Sequence, residues 1–323
     1  MADVIAVDLG GTNIRAARMD QAGKILARDR IETKAEAGMG QAVARLAEMI
    51  QRLRSKETVG IGVGTPGTPD PGTGCMKSRA VNIPDSQGYP LCPELTRLTG
   101  LPAAADNDGN LAALGEYWMG AGKGEHVLII LTLGTGIGGG MVIDGHVYHG
   151  HSNLGTEFGH ITIDMHGRPC PCGTIGCFEQ YASAIAVGRD TREALAKGTP
   201  EAKASRLWTL CGGDPQKADA KMLCDAARNG DAFANRLLDQ SADYLAAGLG
   251  ALLNALNPSC AILAGGMALA GDVLFTRVRA ALTKNRAYAP IWKDCKLVPA
   301  ALGDDAGLIG AAMIGFRKAG IEL

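Results

Sequence analysis

Two short stretches carry residue types that can do chemistry. The first, Asp106-Asn107-Asp108-Gly109-Asn110, places carboxylates among amides immediately ahead of a helical pattern. A carboxylate so placed can take the proton of a substrate hydroxyl while a neighbouring amide orients that hydroxyl, and phosphoryl transfer asks little more covalent chemistry of a protein. Asn and Asp are also favoured helix caps and turn formers, so the same loop fits a structural role, and the two roles are compatible. The second stretch, LGTEFGHITIDMHGRPCPCGTIGC from Leu154 to Cys177, spaces His160, Cys170, Cys172 and Cys177 as H-x9-C-x-C-x4-C. One imidazole and three thiolates form a soft tetrahedral set suited to zinc. Four protein ligands leave no open position for water activation, so this zinc is expected to be structural, clamping a loop with little apolar content. His166 lies inside the loop and is the rival histidine ligand. Glu157 and Glu179 bracket it. A carboxylate can accept from two adjacent hydroxyls of a polyol. Zinc on one ring nitrogen of His160 would leave the other for a substrate hydroxyl.

Glycine-rich turns offer a third kind of chemistry. The run LTLGTGIGGGMVIDGHVY, Leu131 to Tyr148, contains G-x-G-x-x-G at Gly134, Gly136 and Gly139. A dinucleotide fingerprint needs a helix after the glycines. Here an apolar run and the hairpin signal Asp144-Gly145 follow instead, so the NAD reading fails on context. A second copy explains the run better. VIAVDLGGTNIRAARMDQAGKIL, Val4 to Leu26, overlays it at a shift of about 124 positions, with Leu9-Gly10 on Leu133-Gly134 and Asp20 on Asp144. Two equivalent Gly/Thr turns at strand ends suggest duplicated α/β domains, each presenting a nest of backbone N–H groups to an anion. Facing nests can hold the β- and γ-phosphates of one nucleotide, the arrangement of actin-like and hexokinase-like ATPases. No G-x-x-x-x-G-K-[ST] is present, and GAGKGE around Lys123 lacks the spacing and the hydroxyl.

The elements that must position these groups follow from periodicity. Residues 4–30 read as three strands. Met39, Val43, Leu46, Ile50 and Leu53 form one apolar helical face. Residues 59–63 form a buried strand that ends in the turn-rich GTPGTPDPG, and residues 103–105 form a short strand into the Asp108 loop, with helix over 111–119. Strands resume at 127–148, and 178–256 is mostly helical. Strands at 261–263 and 297–300 precede a terminal helix over 307–318. The expected arrangement is a small α/β domain of 1–108 plus about 305–323, and a large α/β domain of 109–304 carrying the cysteine loop.

Composition bounds the partners. A hydrophobic fraction of 46% over 323 residues suits about two globular domains, and a formal net charge of −1 gives no electrostatic case for nucleic acid or an anionic membrane. No apolar run reaches the roughly 18 residues of a membrane span. The N-terminus enters a strand without a leader pattern, so a cytoplasmic protein is expected. Six scattered cysteines (Cys75, Cys92, Cys211, Cys224, Cys260 and Cys295) read as small buried hydrophobes.

Taken together, DLGGTNIR, GVGTPG, NDGNLAALGE, LTLGTGIGGG, GTEFGH, CPCGTIGCFEQYAS, LAGGM and LGDDAGLIGAA resemble the ROK sugar kinases and, within them, the bacterial glucokinases. The paired GTEFGH and C-x-C-G-x-x-G-C-x-E set is specific to that family. The resemblance implies a two-domain ribonuclease-H-like/actin-like ATPase (hexokinase-like) α/β fold with a cleft between domains, its C-terminal helix returning to the first domain. It implies transfer of phosphate from ATP, with Mg²⁺, to the 6-hydroxyl of glucose. The alternatives are another hexose (fructose, mannose, allose or an N-acetylhexosamine) or a sugar-sensing regulator without catalysis. By resemblance Asp108 is the base, while Gly67, Asn82, Asn107, Glu157, His160 and Glu179 contact the sugar. Gly10, Gly11, Thr12 and Asn13, with Gly134, Thr135 and Gly136, form the phosphate loops. Asp8 lies near magnesium, Gly265 and Gly266 beneath the adenosine, and His160, Cys170, Cys172 and Cys177 hold structural zinc. The protein is expected to be a homodimer or homotetramer. Family members often carry Lys after Gly-Gly-Thr, whereas Asn13 and then Arg15 stand here. The family's repressors carry a DNA-binding domain ahead of the first loop, which is not expected with seven residues before Asp8.

Overall fold

The structure, a computed structural model, describes residues 1–80 and 82–323. By compactness the chain divides into a first unit of Met1–Gly124, Gly140–Thr156 and Ala301–Leu323 and a second of Glu125–Gly139 and Glu157–Ala300.

The first unit is built on β1 (Asp3–Leu9), β2 (Asn13–Asp20), β3 (Ile25–Glu32), α1 (Met39–Leu53), β4 (Thr58–Thr65), α2 (Leu91–Thr99), β5 (Ala103–Asn107) and α3 (Asp108–Met119). Its sheet runs β3-β2-β1-β4-β5, antiparallel from β3 to β1 and parallel from β1 to β5. The apolar face read for α1 is buried in full. Strand β3 alternates half-buried and exposed residues, with Arg28, Arg30 and Glu32 outward, as suits a charged edge. Glycine sets the packing of α12 (Ala306–Lys318): a side chain at Gly62 would strike the Ala311 carbonyl, and one at Gly115 the Ala306 carbonyl. The terminal helix therefore meets β4 and α3 at backbone distance. That contact draws α3 into the first unit, which extends past the expected boundary at 108.

The second sheet uses β6 (Val127–Leu133), β7 (Ile137–Ile143), β8 (His146–Val147), β9 (Cys260–Ala264) and β10 (Lys296–Pro299) in the order β10-β9-β6-β7-β8. Read from β8, it repeats the first sheet strand for strand. Strand β1 begins at Asp3 and β6 at Val127, β2 at Asn13 and β7 at Ile137, an offset of 124 in both cases. The duplication seen in sequence is a duplication of topology. The Asp144-Gly145 turn carries positive φ at both residues, 47° and 81°, the hairpin geometry its sequence announces. Helices fill the rest of this unit: α4 (Glu179–Ala182), α5 (Ala184–Ala196), α6 (Pro200–Ala204), α7 (Arg206–Leu210), α8 (Ala220–Arg228), α9 (Ala232–Leu256), α10 (Asp272–Lys284) and α11 (Ala289–Trp292). Among the described residues, no helix is long and apolar enough to cross a membrane.

Candidate active site

In the first unit, the Gly10–Asn13 turn is closed by Gly10 N–H donating to the Asn13 carbonyl at 3.0 Å and by the Thr33 hydroxyl donating to the Gly10 carbonyl at 2.6 Å. A Cβ on Gly11 would stand 2.7 Å from that of Asn82, so Gly11 and Asn82 are neighbours only because Gly11 has no side chain. Asp8, at the end of β1, accepts from Arg15 Nε at 2.9 Å and Nη2 at 2.5 Å. Arg15 is thus engaged with Asp8.

Strand β5 runs straight into α3, and the junction separates the two roles read for this loop. Asn107 is the cap: its Oδ1 accepts from Gly109 N–H at 2.9 Å, and its Nδ2 donates to the Gly67 carbonyl at 3.0 Å. Gly67 sits at φ 79°, where a side chain is disfavoured and would crowd the Arg79 carbonyl. Asp108 opens the helix, accepting from Gly109 N–H at 2.8 Å. Its carboxylate is open to solvent yet recessed among protein atoms, and that desolvation pushes its pKa above the ordinary aspartate value. The Gly109 amide opposes the rise and the charge of Asp8 adds to it. A carboxylate that holds its proton somewhat more tightly than usual is a better base for an alcohol.

In the second unit, Gly134 N–H donates to the Gly136 carbonyl at 3.0 Å, the counterpart of the first turn. A cavity of about 280 Å³ lies over it, lined by Thr135, Gly136, Gly138, Glu179 and Gly265 among others. Glu179 joins this turn to the cysteine loop. Its Oε2 accepts from Ile137 N–H at 3.4 Å, and its Oε1 accepts from the Cys170 thiol at 3.3 Å. From Gly134 and Thr135 a larger cavity of about 750 Å³ extends past Gly266, Ile185, Lys221, Arg228 and Leu269. Its size is that of a small-molecule site. Ile185 and Leu269 are 55% and 84% exposed, apolar side chains left open where they line this cavity. Arg228 is tied to Asp225 at 2.7 Å and to the Ala270 carbonyl at 2.9 Å. Gly265, at φ 83°, turns the chain against the Leu133 carbonyl at the end of β9.

The ligand atoms of His160, Cys170, Cys172 and Cys177 lie within 4.8 Å of one another. Two short bridges, Thr162–Cys177 and Pro169–Ile175, fold the loop on itself, and His160 presents Nδ1 to Cys170 Sγ at 3.8 Å. Hydrogen bonds from Thr174 push the Cys172 thiol down to about 6, while burial pushes Cys170 up to about 12. The donor set fits zinc: three sulfurs and one nitrogen converge, Cys170 and Cys177 buried. His166 is not among the converging groups; its side chain is exposed and its backbone N–H donates to Asp164. Nδ1 is the ring nitrogen turned to the sulfurs.

Each unit thus gathers its own share of the expected residues. The first holds Asp8, Gly10–Asn13, Gly67, Asn82, Asn107 and Asp108, and the second holds Gly134–Gly136, Glu157, His160, Glu179, Gly265, Gly266 and the cysteines. The profile of the ROK family matches residues 4–317. This chain belongs to the ROK family. A glucokinase of Thermotoga maritima is 38% identical over 312 residues, 96% of each chain. A glucokinase of Halalkalibacterium halodurans is 37% identical over 319 residues, 96% of this chain and 94% of that one. Among solved structures, a ROK family glucokinase of Streptomyces griseus in complex with glucose and AMPPNP superposes with a TM-score of 0.77 at 33% identity, covering 98% of this chain and all of that one. The two mixed sheets are those of the two-domain actin-like ATPase fold to which this ROK chain was expected to conform.

Of the residues lining the larger cavity, Gly134, Thr135 and Gly266 are among those expected from the sequence, whereas Ile185, Lys221, Arg228 and Leu269 are not. Ile185, Lys221 and Arg228 sit on α5 and α8, whose other faces are buried, and their spacing reads as the solvent side of ordinary helices. The one available signal was the pair of caps, Ser183 and Asp219, which bring two helix N-termini to the same cavity.

Proposed function

We propose that this ROK protein is an ATP-dependent hexokinase that phosphorylates the 6-hydroxyl of glucose. The observation that carries the reading is Asp108: a recessed carboxylate with a raised pKa at the start of α3, beside the Gly67–Asn107 contact and within the field of Asp8. As the sugar oxygen bonds to the γ-phosphorus, its proton passes to the Asp108 carboxylate, the bond to the β,γ-bridging oxygen breaks, and ADP leaves with that oxygen's charge. The backbone N–H groups of the Gly10–Thr12 and Gly134–Gly136 turns stabilise charge on the transferring group. Magnesium bound with ATP offsets phosphate charge, and Asp8 is the residue proposed to hold it.

Gly67, Asn82, Asn107, Glu157, His160 and Glu179 are the proposed contacts to the sugar's other hydroxyls. The adenosine is assigned to the larger cavity of the second unit, where Ile185 and Leu269 offer apolar faces to a base and Gly265-Gly266 give close approach. Zinc on His160, Cys170, Cys172 and Cys177 would hold the loop that bears the sugar contacts. A homodimer or homotetramer in the cytoplasm completes the reading, a compartment in which buried single cysteines such as Cys92, Cys224 and Cys260 stay reduced. The test is a coupled ADP-release assay across glucose, mannose, fructose, allose and N-acetylglucosamine. Glucose should give the highest kcat/KM. Comparable values for glucose and N-acetylglucosamine would remove glucose as the preferred substrate and leave the kinase chemistry standing, and no turnover with any sugar would remove the kinase.

A further inference from the structure

Residues 149–156, which lead directly into Glu157, are fastened at both ends to the loop that carries Asp108. At one end, His149 Nε2 meets Asp106 Oδ2 at 2.7 Å. Asp106 is buried, and its other oxygen accepts from Asn107 N–H at 2.7 Å and from Asn110 Nδ2 at 2.9 Å. At the other end, the Thr156 hydroxyl lies 3.2 Å from Asn110 Oδ1 and 2.6 Å from the Gly155 carbonyl, its single proton shared between two acceptors. Gly155 N–H donates to the His149 carbonyl at 2.9 Å and closes the segment into a ring. Asp106 and Asn110 bracket Asn107-Asp108-Gly109, so both fastenings fall on the residues that flank the carboxylate.

Thr156 makes this arrangement more than ordinary loop packing. Its φ is 66°, in the left-handed region, where a β-branched residue is a true outlier. Such a conformation is maintained only when its surroundings over-determine it, and glycine would sit there without strain. A position that calls for glycine on backbone grounds instead carries a hydroxyl aimed at Asn110. The segment is further tied down by Lys77 Nζ donating to the Ser152 carbonyl at 2.7 Å and Asn153 Nδ2 donating to Asp70 at 3.2 Å.

We propose that His149 and Thr156 are positioning residues for the Asp108 base, acting through Asp106 and Asn110 to fix the carboxylate at the start of α3. The inference rests on the reading of Asp108 as the base. Neither side chain needs to touch sugar or nucleotide. Their effect is on how often Asp108 points at the hydroxyl, and a small misplacement of a catalytic group is costly in rate.

The experiment uses His149→Ala, His149→Gln, Thr156→Gly and Thr156→Ser beside Asp108→Asn, with kcat, both KM values and thermal denaturation midpoints measured for each. Thr156→Gly relieves the backbone and should melt no lower than the parent, yet lose roughly 10-fold in kcat with both KM values within about twofold. Thr156→Ser keeps the hydroxyl and should retain most of the turnover. His149→Ala should lose a similar factor, and His149→Gln, whose amide can still donate to Asp106, should recover much of it. Because both act on one loop, the double variant should lose less than the product of the single losses. Parental kcat in Thr156→Gly and His149→Ala, with Asp108→Asn inactive, overturns the positioning role and leaves the base in place. A loss that Thr156→Ser fails to restore also overturns it. Substantial turnover in Asp108→Asn would instead bring down the base itself.

Discussion

Residues 106–110 and residues 157–179 are both polar, both rich in turn formers, and both supply groups to the proposed reaction, yet they are fixed by different means. Around Asp108 every anchor is a hydrogen bond within the protein: Asn107 on Gly67, Asn110 on Asp106, His149 on Asp106. Around His160 four donors converge in a set that a metal ion would hold together. The contacts among them are long, His160 Nδ1 standing 3.8 Å from Cys170 Sγ, whereas a metal would give each a bond. The first loop should therefore tolerate chelators and respond to single side-chain deletions. The second should respond to chelators and fail as a unit.

The largest effect breaks the first loop at its chemistry. Asp108→Asn preserves shape and removes the base, so kcat should fall by at least about 10²-fold with the sugar still bound. Stability should not fall. For an acid whose folded pKa is raised, the native state binds the proton more tightly than the unfolded chain, so ionisation costs stability at pH above both values. The neutral amide removes that cost. In the parent enzyme the same shift should move the acid limb of kcat/KM upward from the ordinary aspartate value, with activity lost as pH falls through it. Near-parental turnover in the variant would remove Asp108 from its role.

The next effect breaks the second loop. Purified protein should carry one zinc per chain by elemental analysis, retained on dialysis, and Cys172→Ala should lose metal, melting temperature and activity together. Sugar KM should rise more than ATP KM, because Glu157, His160 and Glu179 lose their positions while the Gly10–Thr12 turn is untouched. Full activity in metal-free protein would make the cluster ordinary cysteines.

These two loops also differ in how much of each could be read from the chain. The cysteine loop announces itself, since thiol and imidazole spacing is a chemical signature independent of fold. The duplicated hairpins were equally plain, because Gly10 and Gly134 recur at the offset of the strands that carry them. The apolar face of α1 could be counted. What could not be read were contacts made by tertiary structure alone. His149 and Thr156 lie some 40 positions from Asp106 and Asn110 in a loop without period, and nothing in GHSNLGT marks a left-handed threonine. Helices α2 and α10 were not named: α2 is short and holds a proline, and α10 carries four buried apolar residues diluted among Arg, Thr and Lys. The close approach of α3 to α12 rests on Gly115 and Gly310, whose meaning is visible only once the two helices are packed.

A smaller effect sharpens the first half of the contrast through pH. Hydrogen bonding to Asp106 raises the His149 pKa above 6.5, against some desolvation. Asp106 is the charged partner that acts on it, while Asp70 and Lys77 are engaged with Asn153 and Ser152. A raised folded pKa means the pair's contribution to stability is complete below the unfolded value and is lost as pH rises through the folded one. Between about pH 5.5 and pH 9, the melting-temperature gap between parent and His149→Gln should narrow as pH increases. A gap that is constant or widens would mean that the histidine is neutral in the pair. Added chelator should leave the trend unchanged.

The smallest effect is an expected null, and it tests which histidine completes the cysteine set. His166 lies within the same loop and at a spacing that sequence alone does not reject, four residues before Cys170. Its side chain is exposed and stands outside the four converging donors, while its backbone N–H is held by Asp164. His166→Ala should therefore keep its zinc, its unfolding free energy to within the roughly 0.5 kcal/mol typical of a surface change, and its sugar KM. His160→Ala should weaken zinc retention under chelator and raise sugar KM together, since one ring nitrogen faces the sulfurs and the other is the one proposed to meet a sugar hydroxyl. Were His166→Ala to shed zinc while His160→Ala kept it, the ligand assignment would reverse. His160 would then be free of metal, its ring held by its approaches to Cys170 at 3.8 Å and Glu179 at 3.9 Å.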